Sequence, residues 1–92
     1  YPPVALIASA IAFREFSNHA AEENLKKFSN DENMDLSLMA INYMLYLKNK
    51  QPFIGTVRAV HEKSGTNYNV KAACMDFLGS LGLVPNSIEY ED

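Results

Sequence analysis

Apolar residues recur every three or four positions along most of this chain, and no other feature constrains its fold so strongly. Towards the C-terminal end they form one clear series: Val70, Ala73, Cys74, Phe77, Leu78 and Leu81. With 3.6 residues per turn, an α-helix places such positions on one side, where they can pack into a core. The chain has only four glycines and four prolines, too few for the many turns of an all-β fold. We therefore predict an all-α fold.

Breaks in the apolar pattern divide the chain into four helices, which we expect to form one small domain over residues 1–92. A long N-terminal helix is predicted within residues 1–30, and a helical core follows over residues 35–84. Within that core the helix over residues 35–50 is expected to be central. The last two helices should form a hairpin over residues 53–82.

Capping and turn residues support these boundaries. Candidate N-caps are Asp31, Asn33 and Asp35 for the second helix, and Thr66 and Asn67 for the last. Gly65 and Gly82 are suited to helix ends because glycine readily adopts the left-handed conformation. Beyond the last helix, Ile88 and Tyr90 alternate with polar neighbours, which indicates a short C-terminal strand.

The first helix is apolar on nearly all sides near its start. The segment VALIASAIAF, residues 4–13, contains no charged or strongly polar side chain apart from one serine, which predicts contacts on two helix faces. Two interpretations stay open: burial within its own domain, or continuation into a partner chain as a dimerisation element. The candidate interface residues are Leu6, Ile7, Ile11 and Phe13. The run is too short to span a bilayer, so we do not expect a membrane segment.

Charge is segregated along the chain. Residues 1–35 carry three basic and six acidic side chains, residues 36–75 carry five basic and one acidic, and residues 76–92 carry four acidic and no basic ones. A basic middle between acidic ends indicates either an acidic partner for the middle or pairing within the chain. The net charge of −3 disfavours nonspecific binding of nucleic acid by the chain as a whole.

The sequence pattern gives little support for catalysis. His19 and His61 lie far from each other and from Cys74 in sequence, which does not match the spacing of a zinc site. Cys74 stands in an apolar run, which predicts a buried structural thiol rather than a nucleophile. We therefore expect a non-enzymatic chain with no cofactor and no metal. A single cysteine allows no internal disulfide, which favours an intracellular location, cytoplasmic or in the nucleoid or nucleus.

The second half of the chain has the helix order and closing motif of a known class of regulators. A helix ending near Lys50 is followed by Pro52, a short helix, a turn with Gly65 and a final helix. That final helix closes with Leu78-Gly79-Ser80-Leu81-Gly82-Leu83-Val84, which fits the pattern L-x-x-L-G-L-[IV]. Over residues 40–90, roughly half of its length, the chain therefore resembles the helix-turn-helix and winged-helix DNA-binding regulators.

The resemblance implies that the final helix enters a major groove. The side chains that would contact nucleic acid, or alternatively an acidic protein partner, are Lys48, Lys50, Arg58, Lys63, Thr66, Asn69 and Lys71. Against a DNA role, the final helix has Lys71 as its single basic residue, has an acid at Asp76, and is followed by an acidic tail. We therefore favour a protein-binding module (an adaptor, inhibitor or complex subunit) that uses the N-terminal helix and the basic middle face. A small DNA-binding regulator is the alternative.

Overall fold

The computed structural model describes residues 1–63 and 65–84, and these residues fold into five α-helices joined by short turns. The helices are α1 (Pro2–Phe16), α2 (His19–Ser29), α3 (Met34–Leu45), α4 (Ile54–Glu62) and α5 (Tyr68–Ser80), with a 3₁₀ turn at Gln51–Phe53 before α4. The described residues contain no strand, so the predicted all-α class is confirmed. The strand predicted at Ile88 and Tyr90 lies outside the described residues.

The N-terminal helix breaks where we predicted that it would continue. α1 ends at Phe16, and Ser17 adopts the left-handed conformation (φ 50°, ψ 38°). Asn18 is extended, and its Oδ1 accepts a 2.9 Å hydrogen bond from the backbone N–H of Ala21. Asparagine favours such a break because its side chain satisfies an N–H group that a new helix leaves unpaired. The prediction of one long helix within residues 1–30 is therefore wrong. α2 instead packs against α1, and the predicted four helices become five.

α3 ends earlier than predicted. It stops at Leu45, so Lys48 and Lys50 lie beyond the helix rather than in its last turn. The N–H groups of Tyr46 and Leu47 donate to carbonyls three residues back, those of Tyr43 and Met44, so the helix ends in a tightened turn. Leu47, just beyond it, is buried, with 6% of its surface exposed. The predicted helix over residues 35–50 included both lysines, so its last five residues are corrected to a turn and an irregular connection.

α3 lies at the centre of the fold, as predicted, and contacts α1, α2 and α5. At its start, the Ser37 hydroxyl donates a 2.6 Å hydrogen bond to the backbone carbonyl of Ser29 and so joins α3 to the end of α2. The buried apolar side chains form one cluster: Leu6, Phe13, Ala21, Leu25, Ala40, Ile41, Met44, Leu47, Phe53, Val57, Val60, Val70, Ala73, Cys74, Phe77 and Leu78. Every α-helix contributes to this single core.

The hairpin predicted over residues 53–82 is formed by α4 and α5. Asn67 caps the start of α5, and Gly82 follows its end in the left-handed conformation (φ 71°). Across this end the N–H of Leu83 donates to the carbonyl of Leu78 at 2.9 Å, which is a common way for glycine to end a helix. The Leu-Gly-Leu segment therefore has a backbone role that does not depend on any ligand.

Candidate protein-interaction surface

α1 carries apolar side chains on two opposite faces. Leu6 and Phe13 point into the core, with 0% and 4% of their surface exposed. On the other side, Val4, Ile7 and Ile11 are exposed by 60%, 39% and 45%. Because successive helical residues are about 100° apart, these three side chains lie within about 60° of one another around the axis. One face of α1 thus belongs to the core, and the other is an apolar strip on the surface.

The orientation of α1 shows that half of the predicted interface residues are wrong. Leu6 and Phe13 cannot reach a partner protein while the domain is folded, since both are part of its own core. Phe13 packs edge-to-face on Phe53, with ring centroids 5.1 Å apart and ring planes at 74°, a preferred geometry for aromatic pairs. Ile7 and Ile11 are exposed and stay candidates for an interface.

Two adjoining depressions lie between the outer face of α1 and the C-terminal end of α3. The smaller, of about 150 Å³, is lined by Ile7, Ala10, Ile11, Arg14, Tyr43, Tyr46 and Leu47. The larger, of about 370 Å³, shares Arg14, Tyr46 and Leu47 and extends to Lys48 and Asn49. Tyr46 stands between them and is 83% exposed. The name α1–α3 surface is used for the residues of this region that are not buried: Val4, Ile7, Ala8, Ala10, Ile11, Arg14, Glu15, Ser17, Tyr43, Tyr46, Lys48 and Asn49.

The charged groups of the α1–α3 surface lie at one end. Arg14 Nε donates a 2.8 Å hydrogen bond to Glu15 Oε2, and both side chains are exposed. Lys48 lines the same depression as Arg14, and the described residues provide no carboxylate within ion-pair distance of it. Lys50 lies outside this depression, half-buried just before the 3₁₀ turn. Of the predicted basic contact residues, Lys48 is therefore the one that this surface includes.

The other predicted contact residues point to different neighbours. Arg58 Nη2 donates to the carbonyl of Val84, after α5, at 3.4 Å. Lys63 Nζ donates to Asn30 Oδ1, between α2 and α3, at 3.0 Å. The Thr66 hydroxyl donates to a carbonyl of α4 at 2.8 Å and so stabilises the α4–α5 turn. The basic middle segment of the sequence therefore does not become one basic face.

α5, which the resemblance assigns to a major groove, exposes a mainly apolar side. Tyr68 and Met75 are exposed by 81% and 40%, and Ala72 is exposed on the same side of the helix. Asn69 is exposed as predicted, whereas Lys71 is only half-exposed at the edge of this side. Such a composition suits contact with protein better than contact with phosphate groups.

A cleft of about 330 Å³ lies where the N-terminal ends of α3 and α5 meet. Its lining includes Asp31, Glu32 and Lys63, so it carries charge of both signs. Backbone N–H groups in the first turns already donate to Asn33 Oδ1 at the start of α3 and to Asn67 Oδ1 at the start of α5. Neither the charges nor the backbone thus define a particular ligand for this cleft.

One cluster has the residue types of a metal site. His19, Glu22 and Glu23 place three potential ligand atoms within 4.8 Å of one another at the start of α2. Lys26 Nζ contacts Glu22 at 3.1 Å and Glu23 at 3.4 Å, and its hydrogen bond to Glu22 is the largest cause that raises the pKa of Lys26. Ion pairs at these spacings are common on exposed helices and account for the position of the two glutamates, while His19 is exposed beside them.

Cys74 has the environment of a structural thiol. It is fully buried, as predicted, and burial raises its pKa to about 12. At neutral pH it is therefore protonated, whereas a cysteine nucleophile reacts as the thiolate. His61 is half-buried, and within the described part of the chain its Nδ1 has no hydrogen-bond partner.

Of the α1–α3 surface, the sequence indicates Ile7, Ile11 and Lys48 but not the other members, among them Val4 and Tyr46. A signal for Tyr46 was present: Asn42, a polar residue inside an otherwise apolar helix, marks the solvent side of α3, and Tyr46 lies one turn later on that side. The prediction that α3 is central did not indicate this exposed edge. Val4 has no such signal, because the sequence alone does not show which face of α1 points outward.

Comparison with known proteins gives no relative: no family model, no curated protein and no solved structure matches this chain. None of the helices in the described ranges combines the length and the apolarity needed to cross a membrane. The candidate site is therefore identified by its geometry alone.

Proposed function

We propose that this chain is a protein-interaction module that binds a protein partner through the α1–α3 surface. The observation that carries the proposal is the exposure of Val4, Ile7 and Ile11 along one side of α1, beside the exposed ring of Tyr46. Single exposed apolar residues are ordinary on a protein surface. A contiguous strip of them on a regular helix, next to a depression, is typical of a binding site.

The residue types around the depressions support a protein partner. Tyrosine and arginine are enriched among the residues that dominate the binding energy of protein interfaces, and here Tyr43, Tyr46 and Arg14 line the smaller depression. Arg14 and Tyr43 are held by helices and Tyr46 directly follows α3, so little backbone order has to be gained when a partner binds. Arg14 and Lys48 add positive charge at one end, which would orient a partner by charge complementarity.

A site-specific cross-link tests this proposal. A photoreactive phenylalanine analogue replaces Ile11 in the full chain, which is then expressed in its own cells and irradiated. We expect one discrete cross-linked product, because a specific partner should cover this position. Adding Ile7→Asp to the same chain should abolish that product, since it places a charge in the centre of the strip.

Met75 provides a matched control position for the cross-link. Its exposure of 40% is close to the 45% of Ile11, but it lies on α5. The proposal is contradicted if the probe gives the same products at both positions, or if Ile7→Asp leaves the Ile11 product unchanged while circular dichroism shows an intact fold.

The DNA-binding alternative is favoured by one observation: α5 packs against both α3 and α4 and exposes one side, as the reading helix of a helix-turn-helix does. Fluorescence anisotropy with a labelled random duplex separates the two functions. A DNA binder would lose affinity steeply with added salt and would be weakened by Lys71→Glu and Asn69→Ala. Absence of binding at low salt would exclude a stand-alone DNA-binding role.

A further inference from the structure

The outward residues of α1 have the spacing of a helix-pairing seam. Val4, Ile7, Ala8 and Ile11 recur at alternating three- and four-residue intervals (4, 8, 11 and 4, 7, 11), as in helices that pack along their length. Three of these side chains are large, and Ala8 is small. A second helix can therefore approach most closely near the middle of the strip.

The strip is complementary to itself when two copies run antiparallel. A two-fold axis between Ile7 and Ala8 would place Val4 opposite Ile11 of the second copy, and Ile7 opposite Ala8 of the second copy. Each large side chain at the centre then meets a small one, which lets the two helices interdigitate. In a parallel pair, Ile7 would instead face its own equivalent, and so would Ala8.

The two ends of α1 differ in their polar groups. α1 starts without a side-chain cap and has no acidic residue in its first turn, whereas α2, α3 and α5 each start with a capping asparagine. Glu15 lies near the other end of α1 with half of its side chain exposed. An antiparallel pair would bring Glu15 of each copy, with Arg14 beside it at 2.8 Å, to the first turn of the other, where the carboxylate is favourable and the guanidinium is not.

The exposed apolar side chains provide much of the area that a pair needs. A standard interface buries about 800 Å² on each partner, and two exposed tyrosines can supply roughly 300–400 Å² of it. Here Tyr1 and Tyr46 are 88% and 83% exposed, and Val4, Ile7 and Ile11 on α1 add their own exposed fractions.

We infer that the partner on the α1–α3 surface is a second copy of this chain, with the two α1 helices packed antiparallel about an axis between Ile7 and Ala8. The inference rests on the proposed function, for which it names the partner. The tyrosines at the end of α3 lie beside the seam and extend it.

Sedimentation equilibrium of the full chain tests the pairing. We expect the dimer mass at micromolar concentrations, and a shift to the monomer mass for Ile7→Asp and for Ile11→Asp, each weakening association at least about tenfold. Both positions are exposed, so the variants should keep the wild-type circular dichroism. Met75→Asp, at an equally exposed apolar position on α5, should leave the dimer intact.

Disulfide trapping tests the direction of the helices. Val4→Cys and Ile11→Cys chains are mixed and oxidised, and we expect a cross-linked product that contains one of each. Val4→Cys alone should give no such product, because its two copies would lie at opposite ends of the seam. The natural Cys74 is fully buried and should not compete.

A monomer at all concentrations overturns the inference, and so does a dimer that survives both aspartate substitutions. Efficient trapping of Val4→Cys with itself overturns the antiparallel arrangement. If the chain is monomeric while the Ile11 cross-link still captures a different protein, the second copy is excluded but the proposed function stands. If the Ile11 cross-link gives no specific product at all, both fail together.

Discussion

The ring of Phe13 packs edge-to-face on the ring of Phe53, with centroids 5.1 Å apart, and ties α1 to the 3₁₀ turn before α4. Both side chains are buried, and they come from opposite halves of the chain. Because Phe13 must point inward to make this contact, the side of α1 that carries Ile7 and Ile11 must point outward. The core thereby determines which apolar strip of α1 is left on the surface.

Phe53→Ala should destabilise the domain by about 3–5 kcal/mol, since it removes a fully buried ring and leaves a cavity beneath α1. Urea unfolding followed by circular dichroism measures the change. Phe16→Ala is the matched control: Phe16 is 80% exposed, so its loss should change the free energy of unfolding by less than about 0.5 kcal/mol. Equal effects at the two positions would contradict the packing described here.

Asn18→Ala should lower the free energy of unfolding by about 1 kcal/mol, because α2 loses the side chain that accepts from its first turn. Asn18→Gly should lower the free energy of unfolding by only a few tenths of a kcal/mol. Asn42→Ala is the control, since Asn42 is exposed in the middle of α3 and alanine is the better helix former there. A harmless Asn18→Ala change would mean that the break between α1 and α2 does not depend on this cap.

Ser37→Ala should cost about 1–3 kcal/mol, because it leaves the carbonyl of Ser29 without its buried hydrogen bond. Ser80→Ala removes a hydroxyl that donates to the carbonyl of Phe77 at the same distance, 2.6 Å, but Ser80 is exposed and water can replace the bond. Thermal or urea unfolding of the two variants compares them directly. A smaller loss for Ser37→Ala than for Ser80→Ala would show that the bond between α2 and α3 contributes little.

Cys74 should make the stability fall as the pH rises above 9. Its pKa is raised from 9.0 to about 12 by burial, so below pH 9 the thiol is protonated in both the folded and the unfolded chain. Between these two values the unfolded chain loses the proton while the folded chain keeps it, and proton linkage then favours unfolding. Urea midpoints measured through this pH range should fall more steeply for the wild type than for Cys74→Ala. Parallel curves would contradict the prediction.

Much of the fold follows from the sequence because local signals agree with the packing. α4 and α5 lie within the hairpin predicted over residues 53–82, and Asn67 and Gly82 flank α5 as predicted because each acts through its own backbone neighbourhood. Asn18 is the same kind of signal as Asn67. It was missed because apolar residues continue on both sides of it, and a periodic pattern does not show that the helix direction changes at one residue.

The candidate surface was harder to predict because exposure is a property of the whole fold. Nothing local distinguishes Ile7 from Leu6, yet one is 39% exposed and the other 0%. The basic residues show the converse: Arg58 and Lys63 belong to one charged segment of the sequence but hydrogen-bond to different parts of the domain. Charged residues that are close in sequence form a charged surface only when their helices point those side chains in the same direction.

The two-residue link at Ser17 and Asn18 also fixes the rotational phase of α1. One added or deleted residue there would turn α1 by about 100° relative to the rest of the domain. For an ordinary amphipathic helix, such a slip would place polar groups in the core and be strongly disfavoured. α1 is apolar on both sides, so hydrophobicity alone disfavours the rotated orientation only weakly. The shape of the packed side chains must therefore select the correct one. Either side of α1 could pack against the core. Its single orientation thus depends on the short link at Ser17 and Asn18 and on the ring of Phe13.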